Sequence, residues 1–253
     1  MLFGVVIPMY NESEVIETCA RDLTDVLEAH GRKTPDFRYE ILFSDDGSTD
    51  GCGAIVKDFA EKTALSHGSI SVLRAEENRG KGAAVRAGML ESRADVVSFT
   101  DSDLAYGAEI LLSMLDERER TGVDLLIGSR ALAKDGYAGY TAARKLASRV
   151  YLKLLSLAAG FRHTDSQCGV KLFSAPAAHE IFSRTRTDGW AFDLEVLLRA
   201  EKLGFTVGEY PVTVLRHRAS KVRLLRDSVK MFREVFRIRR EVNAEAAGKP
   251  PQR

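Results

Sequence analysis

No run of the chain approaches the roughly 18 consecutive apolar residues that a membrane-crossing helix needs. The opening segment Met1-Leu2-Phe3-Gly4-Val5-Val6-Ile7-Pro8 lacks the basic start of a signal peptide and enters a strand pattern at once. A chain of this kind is expected to lie on a membrane if it meets one. Cysteine is scarce: Cys19, Cys52 and Cys168 are far apart and odd in number. That argues against a disulfide framework or a cysteine-based zinc site and favours a reducing compartment. The histidines, His30, His67, His163, His179 and His217, are scattered, with no pair at metal-ligand spacing; only His217, inside the run from Arg216 to Lys221, invites a functional reading. Excess charge is lacking too, since Lys+Arg 37 against Asp+Glu 36 leaves a net charge of +1, and no global field draws the chain to nucleic acid. The first strand is followed by Pro8-Met9-Tyr10-Asn11-Glu12, not by the glycine fingerprint of a dinucleotide-dependent dehydrogenase.

What is present is an ordinary core-forming composition, 45% hydrophobic and 29% charged over 253 residues, sufficient for one large α/β domain or two small ones. Strand patterns at 3–7, 39–43, 70–73, 96–99 and 124–128 alternate with helical patterns at about 12–29, 50–64, 81–92 and 108–121. Such alternation implies right-handed crossovers and a mostly parallel sheet. Beyond Arg130 come a Gly- and Tyr-rich loop at 135–140, a long helical segment to about Ala159, a strand at 170–174, a helix at 191–203, a strand around 207–214 and a helix from about 224 to 242. We expect one domain over 1–243, with 1–130 and 131–243 as its halves, and a disordered polar tail at 244–253.

The stretch that organises the chain is Val96-Val97-Ser98-Phe99-Thr100-Asp101-Ser102-Asp103-Leu104-Ala105. A short apolar strand delivers two carboxylates to its carboxyl end, the edge at which open α/β sheets bind ligands. Aspartates at i and i+2 point the same way and repel unless a cation sits with them. A hard divalent ion held by one or two carboxylates and substrate phosphates suits that geometry; a strand end followed by a helix cap is the plainer alternative. Ser44-Asp45-Asp46-Gly47-Ser48 brings two more acids to the same edge, and Gly80-Lys81-Gly82 fits either a phosphate cradle at a helix start or merely a Gly-rich turn.

Taken in order, Val6-Ile7-Pro8-Met9-Tyr10-Asn11-Glu12, Ser44-Asp45-Asp46-Gly47-Ser48-Thr49-Asp50, Asn78-Arg79-Gly80-Lys81-Gly82 and Thr100-Asp101-Ser102-Asp103 resemble the nucleotide-sugar half of family 2 glycosyltransferases. Gly128-Ser129-Arg130, Asp165-Ser166-Gln167-Cys168-Gly169-Val170-Lys171-Leu172-Phe173, Trp190-Ala191-Phe192-Asp193-Leu194-Glu195 and Ser220-Lys221-Val222 most resemble the dolichyl-phosphate β-glucosyltransferase subgroup. The resemblance spans roughly residues 3 to 240. It implies a Rossmann-like nucleotide-diphosphosugar transferase (GT-A) fold with a mostly parallel central sheet. It further implies that Pro8, Tyr10, Glu12 and Asp45 or Asp46 shape a nucleoside pocket, and that Asp101 and Asp103, with Ser102 between them, hold Mg²⁺ or Mn²⁺ on the diphosphate. Lys81, Gln167 and Lys171 belong to the implied substrate-binding set. The chain departs from its relatives at Ala105, where phosphomannose synthases often carry Gln, and at Gly107, where the glucosyl subgroup often has Pro.

A sugar diphosphate departs when its developing charge is neutralised, which a carboxylate-held metal and an arginine can do; Arg130, just after a strand, is placed for phosphate or for a surface ion pair. A phosphate monoester acceptor is already ionised and needs no strong base, whereas a sugar hydroxyl needs a carboxylate to take its proton. Asp193 and Glu195 are the candidates for that role, for orienting the donor sugar, or for first-turn acids of a helix. Trp190 suits stacking on a sugar or base, or a place in the core. Arg144, Arg216 and Lys221 are candidates for the acceptor phosphate by similarity to the family's basic positions.

Two stripes bear on the acceptor. Lys145, Arg149 and Lys153 flank Leu146, Val150, Leu154 and Leu157; Arg226, Lys230, Arg233, Arg237 and Arg240 flank Leu225, Val229, Phe232, Val235, Phe236 and Val242. Basic amphipathic helices suit an anionic membrane surface, or each apolar face packs on the core. The expectation is an inverting transferase, peripheral on the cytoplasmic face of a membrane, that moves glucose from UDP-glucose to a polyprenyl phosphate. The rivals are the same transfer from GDP-mannose, transfer to a hydroxyl of a soluble acceptor, and a nucleotide-binding partner protein without catalysis.

Overall fold

The computed structural model describes residues 1–137, 139–140, 152, 162–216 and 224–246, the stretch 224–233 and residue 246 by backbone alone. Strands β1 (Leu2–Met9), β2 (Arg38–Asp45), β3 (Gly68–Arg74), β4 (Val96–Phe99), β5 (Leu125–Ser129), β6 (Lys171–Ser174) and β7 (Val207–Pro211) form one sheet in the order β3-β2-β1-β4-β6-β5-β7. Helices α1 (Ile16–Gly31), α2 (Cys52–Lys62), α3 (Lys81–Glu91) and α4 (Ile110–Thr121) alternate with the first strands, and α5 (Ala175–Phe182), α6 (Phe192–Lys202) and α7 (Leu224–Ala246) follow.

The strand at the centre explains the layering. In β1, Phe3, Val5, Val6 and Ile7 are all fully buried, as expected of a parallel strand covered on both faces. Phe3, Val5 and Ile7 join the core beneath α1, which contributes Ile16, Leu23 and Leu27. Val6 looks the other way, into a second core with Val85 and Met89 of α3, Phe192 of α6 and Val235 of α7. Gly4 lies on that second face because a β-carbon there would meet Ser92 Oγ at 2.8 Å and Ala94 Cβ at 2.9 Å.

The sheet is parallel except for β6, which runs antiparallel to both β4 and β5. Its register, Phe99 opposite Lys171 and Ile127 opposite Lys171, places the start of β6 beside the ends of β4 and β5. The chain leaving β1, β2, β4, β5 and β7 and the chain arriving at β6 therefore meet on one edge.

Two expectations change at the carboxyl terminus. α7 continues through Ala246, three residues into the segment expected to be disordered tail, and Glu245 is held there by a 2.6 Å ion pair to Arg199 of α6. Within α7 the apolar stripe at Val235 and Val242, with Ile238, is buried in the second core, while Phe236 is half exposed, so this portion of the stripe covers the core and not a membrane. Apart from Leu152, the expected amphipathic segment 141–160, with Arg144, Lys145, Arg149 and Lys153, lies outside the described residues, as do His217 and Lys221.

Candidate active site at the carboxyl edge of the sheet

β4 ends at Phe99 and the chain turns at once: the Leu104 N–H donates to Asp101 O at 3.0 Å, the Gly107 N–H to Leu104 O at 2.8 Å. Leu104 is buried with φ +45°, a left-handed conformation unusual for leucine, and the turn holds because its side chain is anchored in the core. Gly107 has φ +77°. Proline, fixed near −65°, cannot take that conformation.

Asp101 and Asp103 leave this turn on the same edge. The Asp103 carboxylate accepts the Ala105 N–H at 3.1 Å; burial and then the charge of Asp101 push its carboxyl above the usual range. Lys81, the first residue of α3, places its ammonium 2.5 Å from Asp101 Oδ1 and 5.2 Å from the centre of the Trp190 ring. Burial would lower the lysine pKa, but Asp101 and Asp193 outweigh it and the net shift is upward. Asp101 itself fits against Gly169, where any β-carbon would collide with its carboxylate.

The start of α3 is not an open phosphate cradle. The Gly82 N–H donates to Asp188 O at 2.7 Å, and the Arg79 and Gly80 N–H groups donate to the Asp46 carboxylate at 3.0 and 2.7 Å. The glycine at 82 serves close approach, since a β-carbon would strike the Thr187 carbonyl and lie 2.7 Å from Phe192 Cβ. Asp45 is likewise used within its own loop, accepting the Ser48 N–H at 2.9 Å and pairing with Arg74 at 3.2 Å. Pro8 is buried, Ser102 is nearly so, Glu12 is partly covered, and Tyr10 is exposed.

Beneath Lys81 lies a second, enclosed pair. The ammonium of Lys171, fully buried, donates to Asp193 Oδ1 at 2.6 Å and to Cys168 O at 2.8 Å, with the Phe99 ring 5.4 Å away. Burial pushes the Asp193 carboxyl up, against the pull of Lys171 and Lys81. Glu195, also fully buried, accepts the Arg186 and Thr187 N–H groups at 3.1 and 2.7 Å and the Arg199 guanidinium at 2.8 Å. It fixes the 186–187 loop, and Asp188 of the same loop pairs with Arg86 at 2.6 Å.

Arg130, after β5, is held in a two-pronged ion pair: Nε to Asp165 Oδ2 at 2.6 Å and an Nη to Oδ1 at 2.8 Å, with the other Nη donating to Tyr140 at 3.1 Å. Burial opposes its charge, but Asp165 holds the guanidinium well above its ordinary pKa, and Asp165 is correspondingly lowered. The Gln167 N–H donates to Asp165 Oδ1 at 3.1 Å. Arg216 pairs with Asp22 at 2.9 Å and lines a cavity of about 270 Å³ with Glu14, Thr18, Cys19, Ser102 and Asp103. The edge thus gathers Asp101, Asp103, Lys81 and Trp190, sets Arg216 beyond Asp103, and encloses Glu195 in a loop anchor. Sequence reasoning missed Asp188, whose only signal was an Asp-Gly pair before Trp190, and did not foresee the Arg130–Asp165 and Lys171–Asp193 pairings, because each joins segments more than twenty residues apart.

Among the described residues no group of three or more His, Cys, Asp or Glu forms a complete metal cage. A Mg²⁺-type ion does not need one, because it is held by one or two carboxylates with water and substrate phosphates filling the remaining positions. Asp101 and Asp103, two carboxylates of one turn at this edge with Asp103 raised by burial and then by the charge of Asp101, fit such an ion.

Residues 4–182 match the family model described as glycosyl transferase family 2. The chain is 33% identical over 244 residues to a dolichyl-phosphate β-glucosyltransferase of Drosophila melanogaster, covering 93% of this chain and 73% of that protein. It is 32% identical over 256 residues to the protein of that name from Saccharomyces cerevisiae, covering 94% and 74%. Among solved structures it is similar to mannosyl-3-phosphoglycerate synthase from Rubrobacter xylanophilus, with TM-score 0.64 and 18% identity over 100% of this chain and 76% of that one. It is also similar to glucosyl-3-phosphoglycerate synthase from Mycobacterium tuberculosis in complex with Mn²⁺, UDP-glucose and phosphoglyceric acid, with TM-score 0.62 and 19% identity over 99% and 81%. The shared fold is the GT-A arrangement. Among the described residues, no helix is long and apolar enough to cross a membrane.

Proposed function

The chain belongs to glycosyl transferase family 2 and is a glycosyltransferase, and from that premise we propose that it moves glucose from UDP-glucose to the phosphate of a dolichyl-type polyprenyl phosphate. An oxygen of the acceptor phosphate attacks the anomeric carbon opposite the diphosphate; the new carbon–oxygen bond forms as the bond to UDP breaks, its electron pair leaving with the diphosphate and the configuration inverting. Asp101 and Asp103 would hold Mg²⁺ or Mn²⁺, which would supply positive charge to neutralise the departing diphosphate. Lys81 adds a cation on the donor side, and Trp190 offers a ring face to the sugar or base. Arg130 is held by a two-pronged pair with Asp165 that lysine does not reproduce, and we place it near the phosphates with only its remaining N–H groups available to them.

The observation that carries the acceptor assignment is the occupation of both candidate bases. Asp193 is paired with Lys171 at 2.6 Å, and Glu195 is enclosed by the 186–187 amides and Arg199. A phosphate acceptor, already ionised near neutral pH, needs neither. The similarity to dolichyl-phosphate β-glucosyltransferases over 93% of the chain supports the same acceptor. With a lipid acceptor, we place the protein peripherally on the cytoplasmic face of a membrane.

The test incubates the protein with radiolabelled UDP-glucose or GDP-mannose, Mg²⁺ and a short polyprenyl phosphate and counts label in the organic phase. Lipid label from UDP-glucose, lost in Asp103→Ala, is the expected result. Lipid label from GDP-mannose alone overturns the donor, and label only on a soluble hydroxyl acceptor overturns the lipid.

A further inference from the structure

The edge of the sheet holds two lysines among its carboxylates, and they differ in freedom. Lys171 is fully enclosed, tied to Asp193 and to Cys168 O. Lys81 keeps 15% of its side chain exposed, and its ammonium sits between Asp101 at 2.5 Å and the face of Trp190 at 5.2 Å. The backbone beneath Lys81 is pinned on two sides, by Asp188 O on the Gly82 N–H and by Asp46 on the Arg79 and Gly80 N–H groups. Movement there is confined to the side chain, whose flexible stem can carry the ammonium away without disturbing α3.

We propose that Lys81 is a placeholder cation: in the nucleotide-free protein its ammonium takes the place at Asp101 that a divalent ion would otherwise fill, and the donor diphosphate is what draws it off. The inference rests on the reading of Asp101 and Asp103 as the metal-holding pair. An ion that binds Asp101 before the donor has to displace a charged neighbour already in contact. With the diphosphate present, the displaced ammonium has a new anion to meet, and Trp190 offers it an aromatic face on the way. Metal and nucleotide then bind with positive coupling, and each alone binds weakly. Gly169 completes the device, because the absent β-carbon leaves the space in which the Asp101 carboxylate sits against Lys81. Lys81 is here a positioning residue for the metal, acting through Asp101.

The test measures Mn²⁺ binding to the full chain by the loss of the free-ion electron paramagnetic resonance signal, with and without UDP. An opposite charge at this range shifts a carboxylate's affinity for a proton by one to three pH units, so removing it is expected to tighten Mn²⁺ binding to the nucleotide-free protein by about tenfold in Lys81→Met. The tightening that UDP adds should shrink in that variant, and Lys81→Arg should keep the native pattern. Damage to the fold would weaken Mn²⁺ binding, the opposite sign. If Lys81→Met does not fold, Lys81→Gln keeps a donor to Asp101 without the charge and makes the same measurement. Unchanged or weaker Mn²⁺ binding in a folded charge-neutral variant overturns the placeholder role. Mn²⁺ binding that survives Asp101→Asn and Asp103→Asn unchanged overturns the metal site itself, and the placeholder with it.

Discussion

Replacing Asp193 with asparagine separates a structural role from a chemical one. In the native protein Asp193 compensates an ammonium that is 0% exposed and 2.6 Å away. Asparagine keeps the shape and a hydrogen-bond acceptor but removes the compensating charge. Taking one partner from a buried ion pair costs about 3–5 kcal/mol; the surviving acceptor and the Cys168 carbonyl at 2.8 Å place the expected loss near the lower end, about 3 kcal/mol. For a chain of this size that lowers Tm by roughly 6–12 °C. Lys171→Met should cost a similar amount, because it leaves the Asp193 carboxylate buried without its cation. The double variant Lys171→Met with Asp193→Leu should recover more than half of the summed loss, since the desolvation cost disappears together with the attraction. The assay is urea unfolding followed by circular dichroism for the native protein, both single variants and the double, with glucosyl transfer measured per folded molecule. Asp193→Asn within about 0.5 kcal/mol of the native protein, the range of an ordinary surface change, combined with abolished transfer, would refute the reasoning. It would make Asp193 a group that acts on substrate and favour a hydroxyl acceptor that needs a base.

Three further outcomes follow from particular contacts. Glu28 accepts Tyr39 Oη–H at 2.9 Å and the Ser66 and His67 N–H groups at 3.1 and 3.0 Å; burial alone would raise its carboxyl, but the His67 and Tyr39 bonds hold it down to about 2 from the usual 4.5. Because the folded value is the lower one, this stability is complete above pH 4.5 and is lost as pH falls from there toward 2, by at most about 3 kcal/mol; urea midpoints between pH 6 and 2.5 should fall less steeply in Glu28→Gln, and parallel slopes would count against the assignment. Gly82→Ala places a methyl against the Thr187 carbonyl and Phe192 Cβ, neither able to yield, so a loss of about 1–3 kcal/mol and weaker UDP binding are expected by melting and titration. Gly107→Pro demands a negative φ where the chain has +77°, and transfer activity should collapse even if most of the fold survives; native turnover in that variant would show that the turn does not depend on the left-handed conformation at 107.

The parallel half of the sheet was legible because its signals are local. Apolar runs of four to eight residues, each followed by a polar cluster and a helical period, specify strand, turn and helix without knowledge of the partner strand. The carboxylates at 101 and 103 were legible for the same reason. What the sequence did not disclose was the direction of β6, since a strand of four residues fits a parallel or an antiparallel slot equally well and only its neighbours decide. The roles of Arg130, Asp193 and Glu195 were left open by the residue types themselves. A charged side chain after a strand or in a first helical turn is the same in sequence whether it meets substrate or closes a buried pair. Glu195 shows this best: its carboxylate at a helix start is used by amides nine and eight residues before it.

The antiparallel strand is what brings the second half of the sequence to the edge that carries Asp101 and Asp103. Had β6 run parallel, Gly169 and Lys171 would lie at the far edge of the sheet. Reversed, β6 begins beside Asp101, so that Gly169 lends space to that carboxylate and Lys171 fixes Asp193 below Lys81. The segment just before β6 carries Asp165, which reaches back to Arg130 at the end of the adjacent β5. On the other side, the Leu215 and Arg216 N–H groups both donate to Ala105 O, at 2.7 and 3.2 Å, clipping the chain after β7 to the turn that bears Asp103. The turn with the two aspartates is therefore braced by chain arriving from β6 and by chain leaving β7, and both braces belong to the second half of the sequence. It follows that the second half sets the position of the carboxylates that the first half contributes, and a substitution in either brace should be felt at Asp101 or Asp103.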